Sequence, residues 1–132
     1  MNYEVFDLNK SYVLEDDYIL LRPLTPDDSI NLQSFSLNEP EIWKYSLLSG
    51  AGEDNLQIYI ATALKARTEG KEYPFIVYDK RINEYAGSTR FYDIQFSFKT
   101  LQLGFTWYGQ KFHGSGLNKH CKFLLLSFFS FR

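Results

Sequence analysis

The sequence predicts one α/β (α+β) domain over residues 1–132, and three observations predict it. Short apolar runs closed by Pro or polar turns alternate with stretches of helical period. Three of those runs follow one another across tight polar turns, the pattern of an antiparallel meander. A chain of 132 residues, 45% hydrophobic and 23% charged, is the right size and composition for a single buried core.

The first strand is read at Tyr18-Ile19-Leu20-Leu21-Arg22-Pro23-Leu24, an apolar run that Pro closes. Thr25-Pro26-Asp27-Asp28 opens a helix: a capping hydroxyl, Pro at the first helical position and two acids in the first turn. Ile30, Leu32, Phe35 and Leu37 follow in that short helix, which Pro40 interrupts. Ser49-Gly50-Ala51-Gly52 is a flexible stretch. A second helix starts at Glu53 or Asp54, with Leu56, Ile60, Ala63, Leu64 and Arg67 at steps of three and four and Gly70 after its last turn. Strands are predicted over Pro74–Tyr78 and Tyr85–Phe96 around the polar turn Asp79–Glu84. Past Lys99-Thr100 comes Leu101–Tyr108, where Leu101, Leu103, Phe105 and Trp107 alternate onto one face. Gly109–Gly116 is a loop. From Leu117 the pattern is helical, with Leu117, Cys121, Leu124, Leu125 and Phe128 on one stripe.

Composition excludes several functions. Lys plus Arg is 14 against Asp plus Glu at 16, a net charge of -2, which argues against a nucleic-acid binder with a basic stripe. One Cys excludes an intrachain disulfide framework and a Cys-rich zinc site. No apolar run approaches the roughly 18 residues of a spanning helix, and Met1–Lys10 lacks the basic start and apolar stretch of a signal peptide. The expectation is a soluble cytoplasmic protein with no membrane partner.

The segment that carries chemistry is Trp107-Tyr108-Gly109-Gln110-Lys111-Phe112-His113-Gly114-Ser115-Gly116-Leu117-Asn118-Lys119. A strand enters a loop with His-Gly-Ser-Gly, and the loop enters a helix. The first amides of a helix have no intrahelical partner and carry partial positive charge. Glycine permits positive φ and close backbone approach. Together these make an anion cradle suited to phosphate or pyrophosphate, with Lys111 and Lys119 near in sequence. A tight turn that binds nothing has the same glycines. A nucleoside-triphosphatase loop does not fit, because Leu117-Asn118 follows Gly116; a dinucleotide loop does not fit, because Lys119 stands at its third Gly.

Element order and this loop together resemble the GNAT superfamily of N-acetyltransferases, whose Gln/Arg-x-x-Gly-x-Gly/Ala places are filled here by His113-Gly114-Ser115-Gly116-Leu117-Asn118. Leu20-Leu21-Arg22-Pro23-Leu24-Thr25-Pro26-Asp27-Asp28 and Leu103-Gly104-Phe105-Thr106-Trp107 look like segments of the branch that includes the ribosomal-protein alanine N-acetyltransferases. The likeness runs over residues 18–129. It implies a mixed, mostly antiparallel sheet with helices on both faces, and acetyl transfer from the cosubstrate acetyl-CoA to a primary amine. By the same resemblance the pantetheine arm pairs with the backbone of Phe105, Thr106 and Trp107, on a strand that carries a bulge. The pyrophosphate lies on the amides of His113, Gly114, Ser115, Gly116, Leu117 and Asn118. An exposed amide near Trp107 stabilises the oxyanion.

The sequence departs from that pattern in three places. His113 replaces Gln or Arg, and Asn118 replaces Gly or Ala. Gln102 stands where many members carry a Glu that serves as general base. Without it, an α-amine titrating near 8 is an easier acceptor than a Lys side chain near 10.4. The family pattern also continues past this helix with a strand, a helix and two more strands, whereas this sequence stops at Arg132. Phe123-Leu124-Leu125-Leu126-Ser127-Phe128-Phe129-Ser130-Phe131 is apolar nearly all round a helix. The expectation is a C-terminally truncated fold, lacking the last strands and helix, that self-associates through exposed apolar surface.

Other residues are weighed in the same way. Cys121 lies on the apolar stripe and reads as core. His113 and His120 have no acidic neighbour in sequence, so no metal is expected. Trp107 and Tyr108 read as strand core and edge. Trp43 and Tyr45 are candidates for an acceptor pocket, as are Tyr92 and Asp93. The leading function is an N-acetyltransferase. The alternatives are a catalytically dead remnant that binds CoA or only associates with itself, and an α+β binding module in which the glycines only make a turn.

Overall fold

The computed structural model describes residues 7–43, 49–95 and 100–130. Strands β1 (Leu14–Glu15), β2 (Ile19–Pro23), β3 (Tyr73–Asp79), β4 (Glu84–Gln95) and β5 (Thr100–Tyr108) form one sheet in sequence order, every pairing antiparallel. Helices α1 (Ser29–Asn38) and α2 (Glu53–Thr68) fall between β2 and β3, and α3 (Leu117–Ser130) follows β5. The mixed α/β architecture expected from sequence is therefore present. The two-residue β1 went unpredicted because it carries no periodicity of its own; it pairs with Leu20 and Leu21 of β2.

Side-chain alternation along the strands separates two layers. Trp107 on β5 donates its indole N–H to the Tyr59 hydroxyl of α2 at 3.2 Å. Its neighbour Tyr108 points the other way and donates to Asn118 Oδ1 of α3 at 3.1 Å. Phe91 of β4 stacks on Phe128 of α3 at 6.2 Å between centroids. Thus α1 and α2 cover one face of the sheet and α3 the other. The periodic residues Leu56, Ile60 and Ala63 of α2 are buried, as are Leu117, Cys121, Leu125 and Phe128 of α3. On α1, Leu32 and Phe35 are buried, but Ile30 and Leu37 face solvent.

The entry to α1 is built around a buried carboxylate. Asp28 accepts two bonds from the Arg22 guanidinium, at 2.6 and 3.0 Å, and others from the Thr25 amide and the Asn31 side chain, at 2.8 and 2.9 Å. Sequence reasoning took Asp28 for a first-turn acid; it is only 1% exposed. Burial pushes its carboxyl up, but the Arg22 pairing and the Thr25 amide outweigh this and hold it below the ordinary carboxylate range.

One expectation is corrected. Leu101, Leu103, Phe105 and Trp107 do not share one face. Ser88 pairs with Trp107 and Arg90 with Gly104, so Phe105 and Thr106 together oppose the single residue Thr89. This β-bulge leaves Phe105 at φ 49° and breaks the alternation. A second irregularity lies between Tyr92 and Gln95, where Asp93 has φ 49°. Predictions for Tyr45, Phe96 and Lys99, and the side-chain exposure of Phe129 and Phe131, lie outside the described residues.

Candidate functional site

The β5 bulge and the start of α3 face each other across a cleft of about 1020 Å³. The sheet contributes Thr89, Leu103, Thr106, Trp107 and Tyr108; the loop contributes Gln110, Phe112, His113, Gly114 and Gly116; α3 contributes Asn118, Lys119, Cys121, Lys122 and Leu125. Glu39, Glu41 and Ile42, around the 3-10 turn Pro40–Trp43, close one side. Six of the nine residues singled out from sequence line this cleft: Thr106, Trp107, His113, Gly114, Gly116 and Asn118.

The other three lie elsewhere. Phe105 leaves the cleft through the bulge, and its ring packs against Tyr92 at 5.2 Å and lies 4.6 Å from the Arg90 guanidinium carbon. Leu117 is fully buried under the sheet. Ser115 turns its hydroxyl onto the Phe112 carbonyl at 2.6 Å and accepts the Leu117 amide at 3.4 Å.

The loop takes this shape because it folds on itself before the helix begins. After the 3-10 turn Gln110–Phe112, the His113 amide donates to the Gln110 carbonyl and the Ser115 amide to the Phe112 carbonyl. Gly114 at φ 76° and Gly116 at φ 85° then reverse the backbone. A methyl group at either would meet nothing within 4 Å, so backbone torsion, not space, calls for glycine here. Among the described hydrogen bonds, the amides of Gly114, Gly116, Asn118 and Lys119 have no acceptor. These four N–H groups, at the positive end of a 14-residue helix, are suited to receive an anion; Gly114, Gly116 and Asn118 are among those singled out from sequence, and Lys119 adds a fourth.

Side chains around the cradle are already engaged. His113 Nε2 donates to the Tyr108 carbonyl at 3.1 Å, which ties the loop to the end of β5. Lys111 is held by Glu84 at 2.6 Å, whereas Lys119 lines the cleft. Lys122, one turn further along α3, is a second cation there that sequence reasoning passed over; the spacing of Lys119 and Lys122 on one helix was the available signal. Thr89 and Thr106 share a hydrogen bond at 2.8 Å across the bulge. Burial drives the Tyr108 phenol far above its ordinary range and pushes the Cys121 thiol up to about 11. Cys121 is a neutral thiol near neutral pH and has the character of core.

The remaining sequence candidates are dispersed. Trp43 is 3% exposed, packed at a 57° tilt against Trp107 with ring centres 4.8 Å apart, and covered by Gly50, where a methyl would press on its indole. It is part of the core, and its neighbour Ile42 reaches the cleft. Tyr92 and Asp93 bracket Gln102: the Tyr92 hydroxyl donates to Gln102 Oε1 at 3.0 Å, and Gln102 Nε2 donates to Asp93 Oδ2 at 3.1 Å. His120 pairs with Asp16 at 2.8 Å and packs on Tyr18. Among the described residues no three His, Cys, Asp or Glu side chains gather as a metal site, and no helix is long and apolar enough to cross a membrane.

Several solved structures share this fold. A GCN5-related N-acetyltransferase from Brucella melitensis superposes with a TM-score of 0.78 at 16% identity, over 93% of this chain and 56% of that one. An acetyl transferase from Salmonella typhimurium that modifies the N-terminal serine of the 50S ribosomal subunit protein L7/L12 gives 0.76 at 17% identity, over 90% and 68%. RimL, a ribosomal L7/L12 α-N-protein acetyltransferase in complex with coenzyme A, gives 0.75 at 16% identity, over 89% and 67%. The chain thus spans between 56% and 68% of the length of these structures. No curated protein sequence matches it significantly. Residues 19–131 match the model of the acetyltransferase (GNAT) domain, and the chain belongs to that family.

Proposed function

We propose that the protein moves an acetyl group from acetyl-CoA to a primary amine, either a protein N-terminus or a small-molecule amine. Acetyl-CoA is the family's acetyl donor, and one structural relative is in complex with coenzyme A. The observation that carries the reading is the pairing of a β5 bulge with a free-amide helix start across one cleft. In this reading the diphosphate rests on the amides of Gly114, Gly116, Asn118 and Lys119, with Lys119 and Lys122 as nearby cations. The pantetheine arm runs along Thr106 and Trp107 on β5, which is the sheet's edge among the described residues. The bulge turns backbone N–H groups towards the thioester carbonyl, where they stabilise the oxyanion. A neutral amine attacks the carbonyl carbon, the C–S bond breaks and CoA leaves as its thiolate, and the proton lost by the nitrogen passes through solvent to that thiolate, giving the amide and free CoA.

The reaction takes place in the cytoplasm, and the outer face of α3, with Phe123 69% and Leu126 54% exposed, supports self-association. A second reading, coenzyme binding without turnover, is favoured by Gln102, which offers an amide where a carboxylate would act as base. Calorimetric titration with acetyl-CoA tests the first step, with saturable one-to-one binding expected. Thiol release with N-terminal peptides and small amines then separates transfer from binding alone. No heat on titration refutes both readings.

A further inference from the structure

Among the described residues, the buried side-chain nitrogen and oxygen atoms without a hydrogen-bond partner are Trp43 Nε1, Arg90 Nε and Arg90 Nη2. All three are donors. The two on Arg90 are neighbours on one edge of the same guanidinium. That side chain is 2% exposed, and its remaining nitrogen, Nη1, donates to Glu72 Oε1 at 2.7 Å. Two aromatic rings also lie against it: the guanidinium carbon is 5.3 Å from the Tyr59 ring centre and 4.6 Å from that of Phe105. What remains unused is the side-on edge, where Nε–H and Nη2–H run parallel. That edge matches a carboxylate through two hydrogen bonds, a geometry Lys cannot reproduce.

Arg90 stands opposite Gly104 in the β4–β5 register, next to the bulge. Its side chain lies on the α2 face, among Tyr59 and Phe105, and is not among the residues that line the cleft. Of the groups packed on it, Phe105 is the most exposed, at 37%, so a ligand reaching the idle edge would have to displace that ring. We infer that Arg90 recognises the acceptor by gripping a carboxylate on the same molecule as the reacting amine. The inference rests on the transferase reading for the identity of the ligand as acceptor. It favours amino-acid-like acceptors and disfavours polyamines, which carry no oxygen for this edge.

The test uses the full chain saturated with CoA, with β-alanine and 4-aminobutyrate as carboxylate probes and β-alaninamide as control. The Arg90 Nε–H resonance, assigned by its loss in Arg90→Lys, is expected to shift saturably with both acids and to stay still with the amide. In acetyl transfer, kcat/KM for β-alanine is expected to exceed that for β-alaninamide at least tenfold, and Arg90→Lys to reduce that ratio below twofold. Glu72→Gln, which leaves the guanidinium charge uncompensated, is expected to tighten β-alanine binding at least threefold even if Arg90→Lys fails to fold. A resonance unmoved by either acid, or a preference that survives in Arg90→Lys, overturns the assignment and leaves a packing role. A shift without acetylation of any amine preserves carboxylate recognition and refutes the transferase reading instead.

Discussion

Two buried charges in this domain have opposite environments. Asp28, at the entry to α1, has both oxygens engaged by Arg22, Thr25 and Asn31. Arg90, in the middle of β4, has one nitrogen paired to Glu72 and one edge unused. Both side chains are almost fully enclosed. A buried charge with every lone pair committed holds local structure, and its removal leaves several partners stranded. A buried charge with an idle edge already carries part of that penalty in the resting protein. The first marks a joint in the fold, and the second marks where a ligand completes the structure.

The largest expected effect tests the first half of this contrast. Asp28→Asn leaves the half-buried Arg22 guanidinium without its counter-charge, and urea denaturation is expected to show a loss of about 3–5 kcal/mol. The pH dependence gives the sign. Because the folded carboxyl sits below its ordinary value, its contribution is complete above the unfolded value near 3.9 and is lost as pH falls through the lowered folded value. The gap between wild type and Asp28→Asn should therefore narrow on acidification; a gap constant down to pH 2 contradicts the ion-pair account.

A smaller effect sharpens the second half. Replacing Arg90 and Glu72 together by Met removes one buried charge, its partly exposed partner and the two unsatisfied donors. Stability is expected to change by no more than about 1 kcal/mol, or to rise. A loss like that of Asp28→Asn would mean that the Arg90 edge is satisfied in the folded protein, and the contrast with Asp28 would disappear.

The two regions also differ in how legible they were. Residue types alone placed the β2–α1 corner, because Pro26 and the acids after Thr25 are local signals. The period of Leu56, Ile60 and Ala63 placed α2, and the glycines at 114 and 116 placed the turn into α3, whose positive φ values agree. The family resemblance implied a bulge on β5, and one is there; what escaped was its position, and with it the side on which Phe105 lies. An alternating strand predicts one face, and only the pairing with β4 shows that two residues of β5 oppose one. Burial of Asp28 and Arg90 escaped for a related reason: a charged residue in a short element reads as solvated until its partners, six and eighteen positions away, are brought to it by the sheet. The cleft itself was half legible. The loop glycines were visible, whereas Thr89 and Ile42 reach it from elements far apart in sequence.

The cradle is the claim on which the functional account depends, and coenzyme affinity in a loop variant tests it most directly. Gly116→Ala puts a side chain where φ is 85°, at a backbone penalty of about 1–2 kcal/mol, while adding no clash in open space. Calorimetric titration of wild type and Gly116→Ala with acetyl-CoA and with S-acetylpantetheine, which lacks the diphosphate, separates loop from strand contributions. The account predicts at least tenfold weaker acetyl-CoA binding in the variant, with the diphosphate-free probe unaffected. Equal affinity of both proteins for acetyl-CoA would contradict it.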